Sequence, residues 1–547
     1  MVKKIFIGTA WPYVNGDLHP GHLAGYLIPA DIFSRYCRLK GYQVLMVSGT
    51  DCHGTPITLE ADKMKISPSA LVKKYHPKVL KLIETYDISY DLFTSTTNPV
   101  HKKITQQFFL KLLKNGFIRK KQTYQYFSNK ENRFLPDRYV EGECKFCKSK
   151  DQRGDQCEVC GRSLNPGDLI SPKSKLTGSE VILKKTEHYF LDYKKLEKEI
   201  YDFVFNSNHW REWVYKESLG FLKEGLQERA ITRDLDWGIK IPIDQIPSKF
   251  LISDLNKKRF YVWFEAVIGY FSASVKWAKI KNKNWQDFWL DKACRHYYFM
   301  GKDNLIFHTI FWPGQLIGQR ENYNLPYFPA VNHFLMLEGK KFSKSRGVMI
   351  DSLKISKEYT VNNVRFYIAS ILPETKDSDF KFQDFKQSVN NKLVDKIGNL
   401  IYRVLIFYKN NLKAKIDRNF LDNIVLNKIE QSSFAFQNNL EKVKIVDALN
   451  DVLNYVDFIN QYLDKNQPWK LLNTDKDRCQ EVIYSCLEAI SFLRFILWPF
   501  LPHSISRLNK MLNLDFKISE GKDLFIFEKT GTFKIKQPIK PLYSKIP

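Results

Sequence analysis

The first fifty residues constrain the fold most. Ile5-Phe6-Ile7 is a short apolar run of the kind a buried strand carries, and Gln43 to Val47 is a second. Between them, Thr9 to His22 (TAWPYVNGDLHPGH) breaks regularity at Pro12, Asn15 and Gly16. A helical pattern then runs from His22 to Cys37, with Leu23, Leu27, Ala30 and Phe33 on one stripe, and Pro29 inside it predicts a kink. Strand, helix and strand at this spacing make a βαβ unit. A parallel sheet is therefore expected, with ligand loops at the carboxyl ends of its strands. His19 and His22 are three apart at the helix start and share a face. Free N–H groups and the positive dipole end favour phosphate there, and Gly21 lets a flat ring approach the backbone. The stretch reads as a nucleotide site with both imidazoles turned to the phosphates. The plainer reading is a pair of loop histidines. Gly49-Thr50-Asp51-Cys52-His53-Gly54-Thr55-Pro56 is the loop after the second strand, which puts Asp51 where it can hold a ligand ammonium or cap the next helix.

A chain of 547 residues is too long for one core, so several domains are expected. Lys and Arg number 85 against 59 Asp and Glu, and the +26 is spread along the chain, which suits a polyanionic partner such as nucleic acid. A lysine-rich proteome would give the same charge. No long uncharged apolar run and no secretory segment appear, so the chain reads as a cytoplasmic protein with no membrane partner. Nine cysteines are too few for a disulfide framework, and four cluster as C-x2-C-x9-C-x2-C at Cys144, Cys147, Cys157 and Cys160. Four thiolates at this spacing suit one structural Zn²⁺, with Lys145, Lys148, Lys150 and Arg153 offsetting the charge. An iron–sulfur cluster or an empty knuckle are the alternatives.

Helices are expected around 67–86 and 100–115, and short strands from about 118. Arg233 precedes the apolar IKIPI and has the chemistry to reach a phosphate or carboxylate. Trp263, Ala266 and Tyr270 fall at i, i+3 and i+7, a stripe that by spacing alone reads as core. His296 to Met300 is a further strand, followed by Gly301-Lys302-Asp303-Asn304 and a helix carrying His308. Lys340-Lys341-Phe342-Ser343-Lys344-Ser345-Arg346-Gly347 reads as a phosphate-gripping loop, or else as a solvated basic turn. From about 390 to 515 the apolar residues Leu393, Ile397, Leu400, Val404 and Phe407 open a helix bundle. Asn399 and Arg403 project together, and Asn466-Gln467-Pro468-Trp469-Lys470 presents a tryptophan. Such residues read unstacked bases, although each alone fits bundle packing.

His19-Pro20-Gly21-His22 and Lys341-Phe342-Ser343-Lys344-Ser345 together resemble the HIGH and KMSKS motifs of class I aminoacyl-tRNA synthetases. AWPYVNGDLHPGH, GTDCHGTPI, the four-cysteine knuckle, YVWFEAVIGY, GKDNLIFH, KFSKS and NQPWKL follow the order found in methionyl-tRNA synthetases, over essentially the whole chain. The resemblance implies an α/β multidomain fold: a Rossmann-like parallel-sheet domain split by a zinc-knuckle insertion, then an α-helical anticodon-binding bundle. The implied boundaries are 1–117 and 231–325 for the nucleotide fold, 118–230 for the insertion, 326–388 for the KFSKS and stem-contact region, 389–515 for the bundle, and 516–547 for a tail packing back. It implies ATP-dependent activation of L-methionine and its transfer to elongator and initiator methionine tRNA. His19, Gly21, His22, Lys341 and Lys344 would bind ATP, the histidines and lysines acting in catalysis. Tyr13, Asp51, Trp263, Ala266, Tyr270 and His308 would bind methionine, with Asp51 on its ammonium. Asn399, Arg403 and Trp469 would read the anticodon. One structural Zn²⁺ and Mg²⁺ with ATP are the implied cofactors.

Pro20 and Phe342 depart from the motifs at what read as spacer positions, and Trp11, Val267 and Asn304 differ from some members. No appended dimerisation domain is present, so a monomer is expected. A synthetase for cysteine or a branched aliphatic is a competing reading. The large editing insertion usual in the branched-chain enzymes finds no place here. A non-catalytic RNA-binding descendant is another, opposed by the basic residues in both phosphate motifs.

Overall fold

The computed structural model describes residues 3–136, 139–154, 157, 159–160, 164, 166–342, 349–412, 421–514, 517–530, 533, 535 and 538–547. Five parallel strands form the central sheet: β1 (Lys4–Thr9), β2 (Gln43–Thr50), β3 (Leu92–Ser95), β4 (Arg295–Gly301) and β5 (Pro326–Asn332). Their order is β5-β4-β1-β2-β3. Ile5 faces Val44 on one side and Arg295 on the other. The chain winds outward from β1 in both directions, so the topological switch point lies between β1 and β4. In such sheets the ligand crevice opens beyond the carboxyl ends of the strands at that point.

The expected helix after β1 is built in three pieces. Pro20–His22 is α-helical, Leu23–Leu27 is π-helical, and α1 (Ile28–Leu39) resumes with Pro29 in its first turn. The irregularity thus precedes the proline instead of lying at it. A helix at Thr55–Lys63, absent from the sequence reading, starts at Gly54 with φ +99°.

The insertion is an antiparallel ribbon, Ile118–Ser128 against Ile182–Leu191, carrying a smaller three-stranded sheet with the cysteines. The bundle includes α3 (Asn399–Asn411), α4 (Ile445–Asn466) and α5 (Lys476–Leu497), preceded by α2 (Val361–Ser370). Of the predicted stripe, Leu393, Ile397, Leu400 and Val404 are buried and Phe407 is half-buried. Residues 521–525 attach to the end of α1, Gly521 N–H to Gly41 O at 2.8 Å and Leu524 N–H to Leu39 O at 2.9 Å, with Phe525 against Tyr36. No described helix is long and apolar enough to cross a membrane.

The halves are joined by a buried ion pair. Arg365 on α2 contacts Asp31 on α1 at 2.7 Å, and its other donors reach the carbonyls of Tyr86, Pro499 and Phe500. Asp31 also accepts from Arg35 at 2.9 Å and Ser89. Burial alone would raise the Asp31 carboxyl, but the two guanidinium groups outweigh it and lower it. A depressed carboxylate stabilises the fold above its unfolded pKa, and that contribution is lost as pH falls through the folded value. Arg365→Ala removes one of the two guanidinium partners of the buried Asp31 and the donors to three carbonyls. We expect it to cost about 3–5 kcal/mol, read as a lower urea midpoint at unchanged slope.

Candidate active site

Beyond the carboxyl ends of β1, β2 and β4 lies a cavity of about 720 Å³, within the usual range for small-ligand sites. Tyr13, His19, Gly21, His22, Asp51, Trp263, Ala266, Tyr270 and His308 all line it, as do Trp11, Arg233, Asn304 and Phe342. Residues from six separate sequence regions therefore meet at the switch point. Lys341 ends a two-residue strand, Lys340–Lys341, paired with Leu335–Leu337. Lys344 lies outside the described residues, with Ser343, Ser345, Arg346 and Gly347.

The two histidines build the helix start. His19 is the N-cap and its Nδ1 accepts the Gly21 N–H at 3.2 Å, while the Nδ1 of His22 accepts the His19 N–H at 3.2 Å. The backbone donor on His19 Nδ1 puts that ring's proton on Nε2, the nitrogen suited to donate to a phosphate oxygen, while His22 Nδ1 lies near both the His19 N–H at 3.2 Å and the His19 carbonyl at 3.3 Å. The rings are 4.1 Å apart. Gly21 is required here: a Cβ would come within 2.8 Å of the His19 ring. Phe342 is more than a spacer, because its ring stacks on His19 at 4.5 Å and 10°. Recognition motifs carry no information about that face-to-face contact, which joins the two phosphate motifs.

Asp51 is buried and pinned by backbone: its N–H donates to Pro12 O at 2.9 Å, and its Oδ1 accepts the His53 N–H at 3.2 Å. Behind it lies Glu265, fully buried and held by His53 Nδ1 at 2.8 Å and His101 Nε2 at 2.6 Å. Burial pushes Glu265 up, but the two imidazoles outweigh it and hold it low. Burial, and then the Glu265 charge, push Asp51 well above the usual carboxylate range. Two carboxylates thus sit in one buried place, and among the described residues Asp51 has no partner like the two imidazoles on Glu265. Sequence reasoning missed Glu265, His53 and His101 because they are far apart in the chain and no periodicity links them.

The side-chain wall is aromatic. Val262–Glu265 and Gly269–Lys281 are α-helical around a 3-10 turn at Ala266–Ile268, a break in the continuous stripe the spacing suggests. Trp263 stacks on Phe307 at 4.0 Å. Tyr270 O–H donates to His308 Nε2 at 2.8 Å, and His308 Nδ1–H donates to Asn304 O at 2.9 Å. Burial brings His308 down to about 4, so it is neutral and presents no cation. The Trp11 indole packs on Gly49 and Gly269, where a Cβ would come within 2.4 and 2.8 Å. Arg233 stacks on Tyr261 at 4.1 Å.

The bundle holds a second cavity of about 420 Å³, lined by Arg403, Phe407, Asn410, Leu463 and Trp469 among others. Gln467 ends α4 at φ +44°, and Pro468 opens the next helix at its first turn, where a missing N–H costs nothing. Trp469 is 45% exposed, so it is not a core residue. Arg403 lies 5.7 Å from its ring and pairs with Asp464 at 2.7 Å. Asn399 is exposed one turn earlier. In the insertion, the Cys144, Cys147, Cys157 and Cys160 sulfurs lie within 4.8 Å of one another, close to the ~3.8 Å edge that a tetrahedron with metal–sulfur bonds of ~2.3 Å requires. Lys145 turns to Asp168 rather than to the thiols.

A family model described as "tRNA synthetases class I (M)" matches residues 5–405, and one described as "Anticodon binding domain of methionyl tRNA ligase" matches 419–524. The chain is 42% identical over 524 residues to the methionine–tRNA ligase of Roseiflexus sp. (strain RS-1), spanning 94% of this chain and 87% of that one. It is 39% identical over 551 residues to that of Pyrococcus furiosus, spanning 98% and 74%. Its fold is similar to Mycobacterium tuberculosis methionyl-tRNA synthetase in complex with methionyl-adenylate, with a TM-score of 0.80, 20% identity and 99% of each chain covered.

Proposed function

From the premise that the chain belongs to the methionine–tRNA ligases, a family of class I tRNA synthetases, we propose which residues carry its two-step reaction. In the first step a carboxylate oxygen of methionine attacks the α-phosphate of ATP, giving methionyl-adenylate and pyrophosphate. In the second, the methionyl group passes to the 3′ end of tRNA and AMP leaves.

The observation that carries the assignment is Asp51, a buried carboxyl on the cavity wall with no cationic partner among the described residues. A methionine ammonium supplies that partner and leaves the carboxylate of the substrate turned toward the nucleotide. Tyr13, Trp263, Ala266, Tyr270 and His308 surround the thioether, and sulfur–aromatic contacts contribute ~0.3–1.5 kcal/mol each. A neutral His308 adds no charge that the thioether would have to desolvate. His19 and His22 donate from Nε2 to the triphosphate, Gly21 clears the approach, and Lys341 and Lys344 stabilise the charge gathering on pyrophosphate. Mg²⁺ enters with the ATP.

The four cysteines would hold one Zn²⁺. Four protein ligands leave no open position, so its work is structural, closing the insertion. Purified protein is expected to carry one zinc per chain, and Cys157→Ser to lose it. Metal analysis that finds no zinc in the wild type, or full retention in the variant, overturns this.

Asn399, Arg403 and Trp469 would read the methionine anticodon of elongator and initiator tRNA, the bundle spanning 389–515 and the insertion 118–230. A monomer working in the cytoplasm suits this role. Stacking on aromatics is worth ~1–3 kcal/mol per base, so Trp469→Ala is expected to lose about 5- to 150-fold in tRNA charging. Pyrophosphate exchange without tRNA and melting temperature should stay near wild type, because the residue is exposed. Equal loss in both activities, or a marked drop in melting temperature, would contradict anticodon reading.

A further inference from the structure

The π-helical turn behind His22 has an unusual hydrogen-bond problem. Ile28 N–H reaches back five residues to Leu23 O. The next bond in that series would run from residue 29 to Ala24 O, and in an α register it would run to Gly25 O. Pro29 has no N–H and can make neither. Asn332, buried at the end of β5, supplies the missing donor. Its Nδ2 lies 3.3 Å from Ala24 O and 2.9 Å from Gly25 O, so it serves both registers.

Asn332 is held from behind. Its Oδ1 accepts from Arg211 Nη1 at 2.9 Å. The other guanidinium nitrogen of Arg211, Nη2, lies 3.5 Å from Glu374 Oε1 and 3.2 Å from Val443 O. Glu374 Oε1 in turn accepts the N–H of Ile445 at 2.8 Å, the first residue of α4. α4 has 22 residues, about 33 Å at 1.5 Å per residue, and ends at Asn466, two residues before Pro468 and Trp469. One hydrogen-bonded chain of side chains and one continuous helix therefore join the tryptophan groove to the carbonyls just after His22.

We propose that Arg211, Asn332 and Glu374 are positioning residues that carry tRNA engagement at Trp469 to the nucleotide-binding histidines. The element they bias is the π turn, whose two registers orphan different carbonyls, both within reach of Asn332. The proposal rests on the reading of Trp469 as an anticodon contact.

The test compares wild type, Glu374→Gln, Trp469→Ala and the double variant, using a full methionine tRNA transcript. Glu374→Gln keeps the shape of the Ile445 cap and removes the charge facing Arg211. Arg211→Lys, which keeps charge and loses the fork, is the second variant should the first fold poorly. Glu374→Gln should lower kcat for charging about 3- to 30-fold, the range of measured coupling changes, with KM for tRNA and pyrophosphate exchange unchanged. Trp469→Ala should then cost correspondingly less in the Glu374→Gln background than alone. Strict additivity of the two losses in kcat overturns the coupling. So does a fall shared equally by exchange and charging, which marks a merely structural role. If Trp469→Ala alone charges like wild type, the anticodon reading itself has failed, and the coupling loses its far end.

Discussion

Asp51→Asn should weaken methionine binding by roughly 30- to 1,000-fold, the ~2–4 kcal/mol lost when one partner of a buried charge pair is neutralised. The asparagine fits the same space and keeps an acceptor for the His53 N–H, so the fold should survive. ATP affinity should hold, because the proposed partner of the carboxyl is the methionine ammonium and not the nucleotide. pH gives an independent reading. Burial and Glu265 raise Asp51, and the proposed ammonium contact requires its ionised form. As pH falls through that raised value, the wild-type KM for methionine should climb by up to tenfold per pH unit. The asparagine variant should show no such climb. A variant with wild-type methionine affinity would mean that another group holds the ammonium.

Lys344→Ala should slow methionyl-adenylate formation by roughly 10²–10³-fold, the size of one lost transition-state charge contact. The charge it is proposed to meet exists chiefly while pyrophosphate leaves, so methionine affinity should barely move. Trp263→Ala should do the reverse. Its ring, stacked on Phe307, forms part of the wall, and its removal should raise KM for methionine before it touches the chemical step. Single-turnover formation of adenylate, beside equilibrium methionine binding, separates the two. A Lys344 variant that activates normally but binds methionine poorly would contradict the assignment.

Local pattern reaches part of this molecule and stops at identifiable places. The βαβ opening is legible because Ile5-Phe6-Ile7 and Gln43–Val47 are strands, buried but for Gln43 and Val44, that turn residues bound. The cysteine spacing brings four sulfurs together, since short knuckles are nearly self-contained. The π turn is not legible. Pro29 signals a disturbance, but its location depends on Asn332, some three hundred residues on, which catches the carbonyls upstream. Nor is the Glu265 cluster, whose two histidines come from the β2 loop and the helix after β3. Trp263 reads as core by spacing, and only the cavity beside it separates wall from core. Phe342 looks like filler in a basic loop, because a stack between two motifs is a tertiary fact.

One cavity at the β1–β4 switch point is proposed to select and activate methionine. The most direct measurement is ATP–pyrophosphate exchange with each of the twenty amino acids, on wild type and on Asp51→Asn. Exchange supported by methionine far above all others, and falling in the variant through KM, is the predicted result. Exchange driven best by cysteine or a branched aliphatic amino acid, or a methionine response indifferent to Asp51, would contradict it.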